Sequence, residues 1–304
     1  MEEFPEAEID YLTKKSYAPL IEHHPAVEKV ITYNDSKSFL GAVSRIRKNR
    51  YDLFVDLQAN AQSAILRAGL LSAKKVRYPK RRFARELIVR RPQLKLKVDH
   101  TVNAYFTALR KLGMNVTPSP PVLALPPEYS SFADDFMKKS FPDECKVFVV
   151  LCPGARHYEK KWPRFGDVAE SLLEKSEIGL LVISSSDDNL PDDLRIDHPR
   201  LIPIRDYELL KIGALMSGCS ASITNDSGLM HLSCAVQTPV AAIFGPTNPR
   251  LGFSPVYPGS IMICDDVFCS PCSVHGKKRC SQSVKHCFNE ISPERVVESL
   301  FKII

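Results

Sequence analysis

No stretch of this chain approaches the ~18 consecutive apolar residues of a membrane-crossing helix, so no span is expected. The first residues, Met1, Glu2 and Glu3, are acidic where a secretory leader starts basic, and no leader is expected either. Internal repeats are lacking, and tryptophan is reduced to Trp162. What is present fits a globular protein. The 304 residues suffice for two domains, each with its own core, and 44% hydrophobic with 25% charged residues argues against global disorder.

Charge is uneven along the chain. The net value is +6, yet 74–97 alone carries eleven Lys or Arg (Lys74, Lys75, Arg77, Lys80, Arg81, Arg82, Arg85, Arg90, Arg91, Lys95, Lys97) against Glu86. That segment is therefore +10 and the remainder −4. Such a field suits an anionic partner: a phosphorylated substrate, an acidic membrane surface or nucleic acid. A solvated basic face is the plainer reading.

Nine cysteines with nothing to route them to an oxidising compartment are expected as thiols. Cys269, Cys272, Cys280 and Cys287 form a C-x2-C-x7-C-x6-C array.

Short apolar runs alternate with longer amphipathic ones, the rhythm of a parallel sheet covered on both faces, so the class is α/β. Strands are expected at 8–13, 27–33, 51–58 and 75–78, then at 146–151, 179–184, 201–204, 221–224 and 239–244. Helices fit at 17–22, 37–49, 61–71, 100–112, 165–175 and 208–216, and Ser292-Pro293-Glu294-Arg295 opens a terminal one. Gly113 and the prolines 118, 120, 121, 126 and 127 place the boundary between domains 1–127 and 128–304.

Three loops at expected strand ends could hold a ligand. Thr224 to His231 runs from a strand through Asp226, Ser227, Gly228 and Leu229 into a helix with His231 in its first turn, which aims unpaired N–H groups and a positive dipole end at an anion. Asp226 or Ser227 could instead merely cap that helix, and His231 could pack structurally. Pro153-Gly154-Ala155-Arg156 leads to Lys160-Lys161-Trp162-Pro163, whose cations could neutralise a departing diphosphate. Gly245-Pro246-Thr247 follows the third strand.

The run from Asn225 to Pro249, D-S-G-x-x-H followed by A-x-x-x-P-V-x-A-x-F-G-P-T-N-P, resembles glycosyltransferase family 9, the ADP-heptose:lipopolysaccharide heptosyltransferases. Residues 5–12, Tyr51-Asp52 through Asp56-Leu57-Gln58, Lys160-Lys161-Trp162-Pro163 and 291–296 resemble the family in order and spacing. The resemblance implies a GT-B fold: two Rossmann-like domains facing a cleft, the first for the acceptor and the second for the nucleotide-sugar. It implies inverting, metal-independent transfer of heptose from ADP-heptose to the inner core of lipopolysaccharide, with no cofactor. Lys160 matches the family's phosphate lysine, and Asp226, Ser227, Gly228 and His231 match its donor motif. Implied partners are ADP-heptose or a related nucleotide-sugar, an anionic acceptor (Kdo-lipid A or heptosylated core) and the inner-membrane surface, with a cytoplasmic, peripheral location and no nucleic acid.

Departures from the family pattern are specific. The strand, loop ending in Gly-Asp and helix with which members begin have no counterpart here, so the aspartate base is expected upstream of Met1, and without that unit two interior sheet edges would be exposed. Ala59 stands where glycine is usual, and Gln62 where a basic residue is common. Ser184-Ser185-Ser186-Asp187-Asp188 replaces a glycine-rich turn, with Asp187 or Asp188 able to accept from ribose hydroxyls.

Three other readings stay open. The first is a donor-binding member impaired in catalysis. A nucleotide-sugar epimerase would need carboxylates and histidines around a cleft, and the histidines are scattered. Lastly, the cysteine array as a zinc site would give a metal-stabilised nucleic-acid-binding module, though the basic run carries few of the aromatics that stack bases.

Overall fold

A computed structural model describes residues 4–71, 73–184 and 191–304. The chain divides into two compact units, Met1–Arg81 with Asp99–Ser119, and Arg82–Val98 with Pro120–Ile304. The path thus crosses between units three times, where a single cut after residue 127 was expected. Residues 82–98 join the second unit because Arg85 and Ile88 are buried there, at 5% and 1% exposure.

In the first unit β1 (Asp10–Lys14), α1 (Pro19–Glu22), β2 (Lys29–Tyr33), α2 (Ser36–Lys48), β3 (Leu53–Asp56), α3 (Ala61–Gly69) and β4 (Lys74–Arg77) alternate. Past α4 (Arg82–Arg90), α5 (Thr101–Arg110) returns to it. Two helices start on reciprocal caps. Asp35 Oδ1 accepts from Ser38 N at 2.8 Å while Ser38 Oγ accepts from Asp35 N at 3.0 Å, and Asn60 and Ser63 repeat the pattern. Among the described residues β1 pairs, in parallel, with β2 alone and β3 with β4 alone. Tyr33, Phe39, Val43, Ile46, Leu66 and Leu70 form the larger core of this unit.

The buried Asp56 ends β3 by accepting from Gln58 N, Ala59 N and the Ser63 hydroxyl at 3.0, 2.7 and 2.9 Å. That turn holds Ala59 at φ 51°, a left-handed conformation that costs alanine more than the glycine of the resembling pattern.

The second unit adds to α4 the helix α6 (Pro127–Ser140), then β5 (Val147–Cys152), α7 (Phe165–Leu173), β6 (Ile178–Ser184), β7 (Leu201–Arg205), α8 (Leu209–Ser217) and β8 (Ala221–Asn225). The helix α9 (Gly228–Ala235), β9 (Val240–Ile243), β10 (Ile261–Ile263), α10 (His286–Asn289) and α11 (Pro293–Phe301) complete it. Six parallel strands run in the order β10-β9-β8-β5-β6-β7, the doubly wound arrangement in which strand order reverses between β5 and β8. Every residue of β6, β8 and β9 is buried, as expected of strands covered by helices on both faces. Trp162, Phe165, Leu172, Leu180, Ile223 and Val296 belong to the core beneath one face.

Candidate nucleotide-sugar site

The register of β5 against β8 sets Cys152 beside Thr224, so the loops leaving both strands emerge side by side at the reversal point. Open α/β sheets bind ligands at such a point. The loop after β9 lies next in order.

Asp226, the residue after β8, is held from both neighbouring loops. Its Oδ2 accepts from the Thr247 hydroxyl at 2.7 Å and lies 2.8 Å from Lys160 Nζ, with both charged side chains largely shielded from water. Neither capping alternative holds. Asp226 is committed to Lys160 and Thr247, and Ser227, the N-cap of α9, makes no side-chain cap bond. The Ser227 hydroxyl is buried and has no hydrogen-bond partner among the described residues. The first turn of α9 therefore keeps its dipole end uncapped by a side chain.

Gly228 opens α9, and a Cβ placed there would meet nothing within 4 Å. The fold leaves room at that point. Gly245 is different: its Cβ would strike the Phe288 ring at 2.3 Å, so packing alone demands glycine. Pro246 likewise serves structure, since its carbonyl accepts from Cys272 N and Ser273 N at 3.0 and 3.2 Å.

Trp162 is a core residue, 2% exposed, packed edge-on to Phe165 with ring centroids 5.5 Å apart. It supports the Lys160 loop from beneath. Arg156 and His231 are exposed, whereas Pro153 is buried and Gly154, Lys161 and Leu229 are half-buried. Asp187 and Asp188 lie outside the described residues.

Two participants escaped the sequence reading. Asn225 is fully buried and ties two loops together, donating from Nδ2 to Pro153 O at 2.7 Å and accepting at Oδ1 from Trp162 N at 3.1 Å. Its place directly before Asp226, closing a buried strand, was the available signal. The cysteine-bearing loop also reaches the site. Gly276, at φ 75°, lies so close to the Lys160 stem that a Cβ would come within 2.3 Å of Lys160 Cγ.

Cations accumulate around this point. The pKa values of His157 and His275 both lie below the ordinary histidine value of 6.5, through desolvation first and then through Arg156, Lys277 and Lys160 near His157, and Lys160, Lys277 and Arg85 near His275. Asp226 pulls His275 weakly the other way. The field suits an anion.

Cys269, Cys272, Cys280 and Cys287 do meet, lining one small pocket with Pro246 and Glu159. Burial, then the neighbouring cysteines, pushes Cys287 up to about 12, so it is a thiol at neutral pH. Among the described residues no group of three or more His, Cys, Asp or Glu side chains could hold a metal ion.

The sequence model of glycosyltransferase family 9 (heptosyltransferase) matches residues 42–281. Lipooligosaccharide heptosyltransferase 2 of Haemophilus ducreyi is 24% identical over all of this chain and 92% of its own length. Lipopolysaccharide heptosyltransferase 1 of Pseudomonas aeruginosa is 24% identical over 97% of this chain and 89% of its own. The solved structure of Escherichia coli ADP-heptose lipopolysaccharide heptosyltransferase II superposes with a TM-score of 0.74 at 20% identity, covering 99% of this chain and 91% of that one. The fold class is that of the GT-B heptosyltransferases. With the family model spanning most of its length and relatives matching nearly end to end, this chain belongs to glycosyltransferase family 9, the heptosyltransferases.

Proposed function

We propose that the protein transfers a heptose from ADP-heptose, with inversion and without a metal ion, to the inner core of lipopolysaccharide. The observation that carries this reading is the arrangement at the β5/β8 reversal point. Asp226 bridges Lys160 and Thr247 beside a helix N-terminus that no side chain caps.

In this reading the diphosphate lies against the first turn of α9, where Gly228 lets the backbone approach and the Ser227 hydroxyl donates to a phosphate oxygen. Lys160 neutralises the charge that grows on the diphosphate as the bond to the sugar breaks, an interaction strongest in the transition state. Asp226 then accepts from sugar hydroxyls. Asn225 and Trp162 act one step back, fixing the loops that carry these groups. Arg156 and Lys161 add positive field, and Leu229 and His231 line the first turn of α9. The donor belongs to the second unit and the acceptor to the first. The acceptor is Kdo-lipid A or its heptosylated core, reached from the cytoplasmic side of the inner membrane.

Incubation with ADP-heptose tests the proposal. ADP is expected only when a Kdo-lipid A or heptosylated acceptor is added, at a rate unchanged by EDTA. ADP release without acceptor, or donor binding with no release under any condition, would overturn transfer as the function. The second outcome would leave a donor-binding member of the family.

A further inference from the structure

The helix α4 is built inside out. On its inner side sit an arginine and an isoleucine: Arg85 Nε donates to Leu251 O at 2.8 Å, its guanidinium carbon lies 4.2 Å over the Phe253 ring, and Ile88 is 1% exposed. On its outer side, one turn apart and so on the same face, Phe83 is 90% and Leu87 47% exposed. Leu94 and Leu96, just beyond the helix, are also exposed. Arg82, Arg90, Arg91 and Lys97 are exposed along the same 16 residues.

This segment is firmly mounted on the second unit. Val98 N donates to Arg250 O at 2.9 Å, Arg250 returns Nη1 to Pro92 O at 3.0 Å, and Lys95 pairs with Asp266. Its apolar side chains are therefore displayed by a fixed platform.

We propose that residues 82–97 form a bilayer-docking surface, in which Phe83, Leu87 and Leu94 enter the interfacial region of an anionic membrane and the surrounding arginines and lysines bind lipid phosphates. An exposed phenyl ring and leucines beside exposed arginines and lysines match what an acidic lipid surface offers: apolar depth beneath a negative plane. Charge decides among occupants. From Arg82 to Lys97 five cations are exposed, Arg82, Arg90, Arg91, Lys95 and Lys97. With Arg90 paired to Glu86 and Lys95 to Asp266 the surface keeps an excess of positive charge, so a second copy docked face to face would set like charges against each other. A nucleic-acid backbone would satisfy the cations and leave Leu87, Leu94 and Leu96 without a use. The proposal deepens the functional reading above and rests on it for the choice of a lipid surface, because an acceptor anchored by lipid A is met at such a surface.

The test is co-sedimentation of the full chain with vesicles of phosphatidylcholine containing phosphatidylglycerol, compared with phosphatidylcholine alone. Wild type is expected to bind the anionic vesicles at least tenfold more tightly than the neutral ones. Phe83→Ser with Leu87→Ser should lower that affinity tenfold or more, and Arg90→Gln with Arg91→Gln should reduce it and flatten its salt dependence. Both side chains of the first variant are exposed, so folding is expected to be kept, and an unchanged thermal midpoint checks it. Equal binding by wild type and the Phe83/Leu87 variant would overturn the proposal, as would a loss of dimers or of RNA binding in that variant with no vesicle binding in wild type. Transfer to a water-soluble, deacylated acceptor separates the two claims. If it persists in the variant while vesicle binding is lost, both stand. Active enzyme that ignores vesicles removes only the docking surface, and vesicle binding without transfer removes only the enzymatic reading.

Discussion

The two units solve the same problem with different material. Strands β6, β8 and β9 are buried along their whole length, β6 and β9 as near-continuous apolar runs and β8 with Ser222, Thr224 and Asn225 among its buried residues, and they join β5, β7 and β10 in one six-stranded sheet. Strands β1 to β4 place one fully buried residue each at most, and pair two by two. The difference assigns the work: a rigid sheet in the second unit fixes the Asp226, Lys160 and Thr247 loops, while the first unit depends on capped helices closing over a smaller core.

Breaking each core in turn gives the largest effects. Trp162→Ala should cost roughly 3–5 kcal/mol, the usual penalty for emptying a large buried aromatic site. Phe39→Ala should cost a similar amount in the first unit. Urea unfolding followed by hydrogen exchange should place the first loss in β5–β9 and the second in β1–β4. Losses spread evenly over both units in either variant would mean that the units unfold as one.

Within the second unit, Lys160→Ala is expected to lower kcat by roughly 10²–10³-fold, the scale for removing one group that stabilises transition-state charge. KM for ADP-heptose should change far less. Equal losses in binding and turnover would assign Lys160 to ground-state binding instead.

The smallest structural change is the sharpest. Gly228→Ala adds a methyl group that meets nothing in the folded chain and replaces a glycine in a helix, so stability should hold or rise by about 0.5–1 kcal/mol. ADP affinity measured by calorimetry should nonetheless fall tenfold or more. Unchanged affinity would show that nothing approaches α9 closely. Gly245→Ala provides the contrast, because the Phe288 ring makes it a folding defect.

How much was legible follows from where each signal resides. Strands β5, β6 and β9 could be read because each is a near-continuous apolar run. The helix α6 could not, because Pro126-Pro127 reads as a linker although Pro127 occupies the first helical turn. The helix α4 vanished into the basic run because Arg85 takes a buried position and Phe83 an exposed one, inverting the pattern that periodicity relies on. Three residues of β10 are too few to leave a pattern. Lys160 and Asp226 were readable since each follows a strand and precedes a helix. Asn225 and Gly276 were not, since one bonds to a residue 72 positions away and the other acts only by leaving space for Lys160.

The proposed function places the nucleotide-sugar at the carboxyl ends of β5 and β8. Hydrogen–deuterium exchange of the full chain with and without ADP tests this most directly. Slowed exchange is predicted in peptides covering 153–162 and 225–232, with β1–β4 unchanged. Protection in the first unit, or none in those two loops at saturating ADP, would contradict it.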